Sequence, residues 1–148
     1  MAAKKNYSER LAVASAYDLP FLPKSFDAAL SVFSPFDTGE VARILESQGT
    51  FLVVGPGPTH LHGLANHIYK HPRPHKGNFN EMDKSTDFKC TDEKAIDIQL
   101  QLHGEDIYNL FTMTPYFWSA SKNQQQAISA LGVLNTPASF IIRVYEKV

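Results

Sequence analysis

The chain of 148 residues is short of cysteine, of net charge and of long apolar runs. Its one cysteine, Cys90, excludes an intramolecular disulfide and a cysteine-based zinc cluster within these residues. A reducing, cytoplasmic setting is the simplest expectation. Fourteen Lys and Arg stand against fifteen Asp and Glu, a formal net charge of −1. That balance argues against a general electrostatic grip on nucleic acid and leaves room only for a local basic patch. No apolar stretch approaches the roughly 18 residues that span a bilayer. The opening MAAKKNYSER carries basic residues with no apolar stretch behind them, and it does not read as a signal peptide. What is there suffices for one ordinary domain: 43% hydrophobic, 20% charged and 11% aromatic residues can bury a core.

Leu11 to Tyr17 is a short run of small and apolar residues, stopped by Pro20 and Pro23 and read as a strand. Phe26 to Phe33 (FDAALSVF) has almost no polar face, which suits a strand buried on both sides in a parallel sheet. Asp37 with Glu40 three residues on opens a helix in the manner of a capping box, and Val41, Ile44 and Leu45 give its apolar stripe. Gly49 is placed to end it. Thr50 to Val54 then reads as a third buried strand, so that strand, helix and strand form a βαβ unit. Residues 60–70 read as a short helix and 71–94 as a polar, proline-bearing loop holding Cys90. Ile96, Ile98, Leu100 and Leu102 alternate with polar residues, the pattern of a half-exposed antiparallel strand. A helix over Gly104 to Phe111, an aromatic loop over Thr112 to Trp118, a helix opened by Ser121 and Gln124 and running to Gly132, and a closing strand over Phe140 to Tyr145 complete the chain. There is no internal repeat.

Three strings carry a resemblance. Val13 to Phe21 (VASAYDLPF), with Ser25 to Ala28 (SFDA), looks like the D-A-x-x-L-P-F … S-F-D stretch of class I S-adenosylmethionine-dependent methyltransferases. Gly55 to Leu61 (GPGPTHL) and Met113 to Trp118 (MTPYFW) resemble the narrower family of 23S rRNA guanine-N1 methyltransferases. The resemblance runs from about Ala2 to the C-terminus. It implies an α/β, partial Rossmann-like class I methyltransferase fold, a mostly parallel sheet with antiparallel C-terminal strands. It covers only the later part of that family's proteins. Members carry an N-terminal cysteine–zinc module, a glycine-rich loop after the first strand, and an acidic residue that holds the ribose hydroxyls. None of these is found in residues 1–148, and Ala2 to Asn6 match the end of the helix after the second strand. Gly55 and Gly57 form the one paired-glycine loop, but it contains prolines and follows the third strand. The expectation is therefore a C-terminal portion of a methyltransferase domain lacking the first strands and the glycine loop, as a fragment or from a truncated gene.

The resemblance implies the following sites. Ser15 and Ala16 stand where the family contacts the adenine of the cofactor S-adenosylmethionine, which this chain is expected to bind weakly or not at all, and Tyr17 either flanks the adenine or only covers the sheet. Ser34 and Pro35 end the second strand, at the edge where ligands of open α/β sheets sit. Pro56, Gly57 and His60 form the most functional-looking loop; His60 either caps the next helix, orients a base or is idle. Thr114, Pro115, Tyr116 and Trp118 are placed on the substrate side: Tyr116, Phe117 and Trp118 stack on a splayed-out guanine, or Trp118 and Phe111 only cap the core. Lys70, Arg73 and Lys76 form a local basic patch suited to RNA phosphates. The six histidines do not read as a metal site: His67, His71 and His75 repeat every fourth residue, but Pro72 and Pro74 break any shared helix face. No catalytic base stands out. The function implied is methyl transfer to a guanine base of ribosomal RNA. The alternatives are a non-catalytic remnant that associates with itself or a partner chain, and half of a related small-molecule methyltransferase.

Overall fold

Prolines, a capping aspartate and two long alternating stretches set the order of elements. The computed structural model describes residues 11–148; the match of Ala2 to Asn6 lies outside the described residues. The order is β1 (Phe26–Val32), α1 (Thr38–Ile44), β2 (Leu45–Pro56), α2 (His62–Ala65), α3 (Asn80–Lys84), β3 (Phe88–His103), α4 (Glu105–Thr112), α5 (Tyr116–Ser119), α6 (Lys122–Ser129) and β4 (Val133–Lys147). The strands form one four-stranded sheet in the order β1-β2-β4-β3. Among the described residues, no helix is long and apolar enough to cross a membrane.

Two compact units divide the chain. The first comprises the described part of Met1–Val53 with Asn80–Asp92 and Arg143–Val148; the second comprises Val54–Phe79 and Glu93–Ile142. The first unit buries Phe36, Val41, Ile44, Leu45, Phe51, Met82, Phe88 and Tyr145. Phe51 meets Phe36 edge-on with centroids 5.1 Å apart, and Phe88 at 6.2 Å. The second unit gathers Leu61, Leu64, Ile107, Phe111, Ala120, Ile128 and Leu134, with Tyr116 and Phe117 packed at the margin.

Several local expectations are met and several are corrected. Asp37 caps α1, its side chain accepting from the Glu40 amide at 2.8 Å. The capping box of α6 is complete, Ser121 and Gln124 each accepting from the other's backbone. Leu11 to Tyr17, by contrast, is not a strand. It carries an isolated Ser15–Asp18 bridge, and the backbone that follows is satisfied by side chains instead of a ladder. The Leu19 amide donates to Glu40 Oε2 at 2.8 Å, while Arg43 donates to the Leu19 and Phe21 carbonyls. β1 is present but not doubly buried. Leu30 is 64% and Val32 53% exposed, because β1 is at the end of the strand order among the described residues. Gly49 does not end a helix: α1 stops at Ile44 and Gly49 is inside β2. The helix over 60–70 shrinks to α2, since Leu61 enters it from a left-handed conformation (φ 53°). The 71–94 loop ends early at α3 and β3, so Cys90 is an exposed strand residue. The aromatic loop contains the single turn α5.

Candidate functional site

In the second unit, the loop after β2 is pulled onto β4. The Gly57 amide donates to the Ser139 carbonyl at 2.9 Å. A Cβ at position 57 would overlap Ser139 Oγ and lie 3.1 and 3.2 Å from Ser139 Cβ and C, so any side chain there displaces Ser139. Glycine is thus required by close approach rather than by its dihedral freedom. The His60 amide donates back to the Gly57 carbonyl at 3.1 Å, tightening the turn. Leu61 is then held by its amide on the Pro137 carbonyl at 2.7 Å and by burial of its side chain. Those two anchors sustain its positive φ, an unusual conformation for leucine.

This turn fixes the His60 ring. His60 Nδ1 lies 2.7 Å from the same Ser139 carbonyl. A carbonyl only accepts, so Nδ1 carries the hydrogen and the lone pair of the neutral ring is on Nε2. The ring meets Phe140 edge-on with centroids 5.1 Å apart, and His75 at 6.0 Å. Burial pushes the His60 pKa below its ordinary value of 6.5; the Ser139 bond pulls the other way, and the neighbouring His75 adds to the lowering. His60 is therefore neutral at pH 7.

His75 links this loop to the aromatic segment. Its amide donates to the Pro58 carbonyl at 3.1 Å. Its Nε2 and the Tyr116 hydroxyl share a 2.9 Å hydrogen bond. Tyr116 in turn meets Tyr69 edge-on at 6.0 Å. Burial raises the Tyr116 pKa above 10.0, with Tyr69 contributing, so the hydroxyl keeps its proton. Gly57, His60 and Tyr116, three of the residues singled out from sequence, thus meet in one cluster, completed by His75, Tyr69, Ser139 and Phe140.

The remaining sequence-derived residues divide. Trp118 is 83% exposed, which excludes a core role and leaves its ring open for stacking. Thr114 is buried, and its hydroxyl donates to the Phe111 carbonyl at 2.8 Å, so it finishes α4 instead of facing a ligand. Pro115 is the N-cap of α5, and Pro56 is the last residue of β2. Lys70, Arg73 and Lys76 are all exposed. Among the described residues, no three His, Cys, Asp or Glu gather as a metal site.

In the first unit, Ser15 Oγ accepts from the Tyr17 amide at 3.1 Å in an exposed turn, with Ala16 half-buried and Tyr17 63% exposed. Glu40 and Arg43 hold the strand-like backbone just after it. Arg43 pairs with Glu40 through two hydrogen bonds of 2.8 Å, and this holds the Glu40 pKa at about 2, with the Leu19 amide adding to the effect. Ser34 and Pro35 are exposed after β1, with the Ser34 carbonyl accepting from Ser31 Oγ at 3.0 Å. The donor set at 15–17 fits an adenine: a hydroxyl whose hydrogen is available to donate, and a flat ring.

No family model matches the chain. It is 29% identical over 130 residues to YxjB of Bacillus subtilis (strain 168), a protein provisionally named 23S rRNA (guanine-N(1)-)-methyltransferase; the match takes in 84% of this chain and 45% of that one. It is also 29% identical over 119 residues to the 23S rRNA (guanine(748)-N(1))-methyltransferase of Streptomyces fradiae, covering 79% of this chain and 42% of that one. The chain is similar to 23S rRNA guanine-N1 methyltransferases. It spans less than half the length of these curated relatives. Among solved structures, a Bacillus halodurans C-125 protein provisionally named a methyltransferase shares a TM-score of 0.56 at 14% identity, over 90% of this chain and 75% of that one. The YcgJ protein of Bacillus subtilis gives 0.50 at 16% identity, over 90% and 69%. These structural likenesses show the fold: an α/β, partial Rossmann-like sheet.

The sequence reading missed Ser139, Phe140, Tyr69 and the linking role of His75. Ser139 acts through its backbone carbonyl, which no residue type announces. His75 had a signal, since prolines on both sides of Arg73 stiffen its approach, but only the fold brings it to Tyr116.

Proposed function

We propose that this chain is the C-terminal portion of an S-adenosylmethionine-dependent 23S rRNA (guanine-N1) methyltransferase, and that the second unit receives the target base. The observation that carries this reading is the meeting of the two family-like strings, GPGPTHL and MTPYFW, through His60, His75 and Tyr116. Chains remote in sequence converge on one polar and aromatic cluster, beside a tryptophan left open to solvent. Single-stranded bases are read by aromatic planes and edge hydrogen bonds, and the exposed Lys70, Arg73 and Lys76 suit phosphates of the same RNA.

Ser15 and Tyr17 would hold the adenine of the cofactor, and Ser34 and Pro35, just after β1, are the further candidates for contact with it. When bound, S-adenosylmethionine supplies a methyl on a sulfonium.

The test is binding of the full chain to a 23S rRNA stem-loop with a guanine in the loop. Trp118→Ala is expected to weaken binding by about ten- to a hundredfold, from stacking worth roughly 1–3 kcal/mol at about 1.4 kcal/mol per decade. Its melting temperature is expected to stay unchanged, since the ring is exposed. An unchanged affinity, or a chain that binds no such RNA, sinks the reading.

A second reading has its own support. Leu30 and Val32 on β1 and, separately, Val13 are exposed apolar residues of the first unit. Exposed strand edges template pairing, and two-fold dimers are the commonest closed solution. We therefore also propose that the chain self-associates. Light scattering at high concentration that gives the mass of one chain contradicts this.

A further inference from the structure

We propose that the groove between α4 and α6 takes a second base of the same RNA, one that flanks the target guanine and presents amino hydrogens. This rests on the functional reading above. The groove belongs wholly to the second unit. It is open, about 530 Å³ in volume, and lined by Tyr108 of α4, Phe117 of α5, and Lys122, Gln125, Gln126 and Ser129 of α6. It adjoins the proposed wall through Phe117, whose ring meets Trp118 edge-on with centroids 5.3 Å apart.

The ring and the charge at this groove suit a nucleotide. Tyr108 is 48% exposed, so its ring is open for stacking on a base. Lys122 is exposed and makes no ion pair among the described residues. It stands in the first turn of α6, where the helix dipole disfavours a cation, and no acidic residue of that turn offsets it. Helix stability therefore does not account for a lysine here, whereas a phosphate beside a stacked base does. No carboxylate lines the groove to oppose that phosphate.

Two lining side chains have their donors already engaged. Gln125 Nε2 donates to the Phe117 carbonyl at 3.0 Å and to the Ala120 carbonyl at 3.3 Å. Carbonyls only accept, so the amide's orientation is fixed, and Oε1 is left to accept from elsewhere. The Ser129 hydroxyl donates to the Gln125 carbonyl at 2.8 Å, so its oxygen also has only acceptor capacity left. Two fixed acceptors suit a base edge with an exocyclic amino group, as in adenine, cytosine and guanine. Uracil has no amino group, and its carbonyl oxygens would meet these acceptors lone pair to lone pair.

The experiment is binding of the full chain to three 23S rRNA stem-loops. All carry the guanine in the loop, and two of them lack the base on one side of it or on the other. Tyr108→Ala is expected to weaken binding of the intact loop by about ten- to a hundredfold, the worth of one stacked base. Removing one of the two flanking bases is expected to cost the unaltered chain about as much, and Tyr108→Ala to cost nothing more on that loop. Tyr108→Phe keeps the ring and is expected to bind as the unaltered chain does, which separates stacking from a defect of folding. Restoring the flanking base as uracil is expected to recover less affinity than restoring it as adenine or cytosine. Lys122→Gln is expected to weaken all three loops alike and to lower the slope of affinity against salt by about one. Tyr108→Ala that binds all three loops as the unaltered chain does, or that loses equally on all three, overturns the inference while Trp118→Ala still tests the functional reading. Uracil that recovers as much as adenine overturns the preference for amino hydrogens. A chain that binds none of the loops overturns the functional reading and this inference with it.

Discussion

At the scale of single residues, position 57 is the most demanding. Substituting Gly57 by alanine overlaps Ser139 Oγ, which must turn away, and leaves contacts of 3.1 and 3.2 Å to Ser139 Cβ and C for the loop to absorb. Overpacking of this kind costs about 1–3 kcal/mol. The variant is expected to melt several degrees lower, and His60 to lose its bond to the Ser139 carbonyl. Thermal melting together with histidine NMR checks both, and an unaltered His60 spectrum counts against the role given to this contact. Much of this was legible in the sequence: paired glycines among prolines mark a loop built for close approach. What it approaches was not, because Ser139 contributes a backbone carbonyl 79 positions from His60. Trp118 was legible only as an alternative between core and wall. Its 83% exposure excludes the core.

At the scale of elements, α1 does two jobs. Its N-terminus is capped by Asp37, as the sequence pattern foretold. Its Glu40 does not turn back to complete a capping box but reaches the Leu19 amide and Arg43. That pairing holds Leu19 and Phe21, just past the strand expected over Leu11 to Tyr17, and no sequence pattern announces a side chain as the partner of a remote amide. It also predicts a pH dependence. The Glu40 pKa falls from 4.5 unfolded to about 2 folded, first through the Arg43 hydrogen bonds. A carboxylate with a depressed folded pKa stabilises the fold fully above 4.5, and that contribution is lost as pH falls toward about 2. Glu40→Gln is therefore expected to flatten the loss of stability between those two values, as followed by acid unfolding. An unchanged acid limb contradicts the clamp. The long strands were underestimated for a related reason. β2, β3 and β4 extend well past their apolar alternation, because ladder hydrogen bonds do not depend on side-chain type.

At the scale of the whole molecule, the fold class was legible from the βαβ punctuation and the family-like strings, and the strand order was not. Order depends on which remote strands pair, and here β4 lies between β2 and β3. In the proposed reading, only residues facing the adenine end of the cofactor come from this chain. Calorimetry of the full chain with S-adenosylmethionine is thus expected to show weak binding or none; a dissociation constant near micromolar would mean that other residues form a cradle. The central claim, that the second unit receives a nucleobase, has a built-in reporter, because Trp118 is the one tryptophan in the chain. Its fluorescence can be followed during titration with a guanine-bearing 23S rRNA stem-loop. Saturable quenching is the expected result, with less effect from the same stem closed without an unpaired base. Fluorescence that stays constant while the RNA binds would contradict the claim.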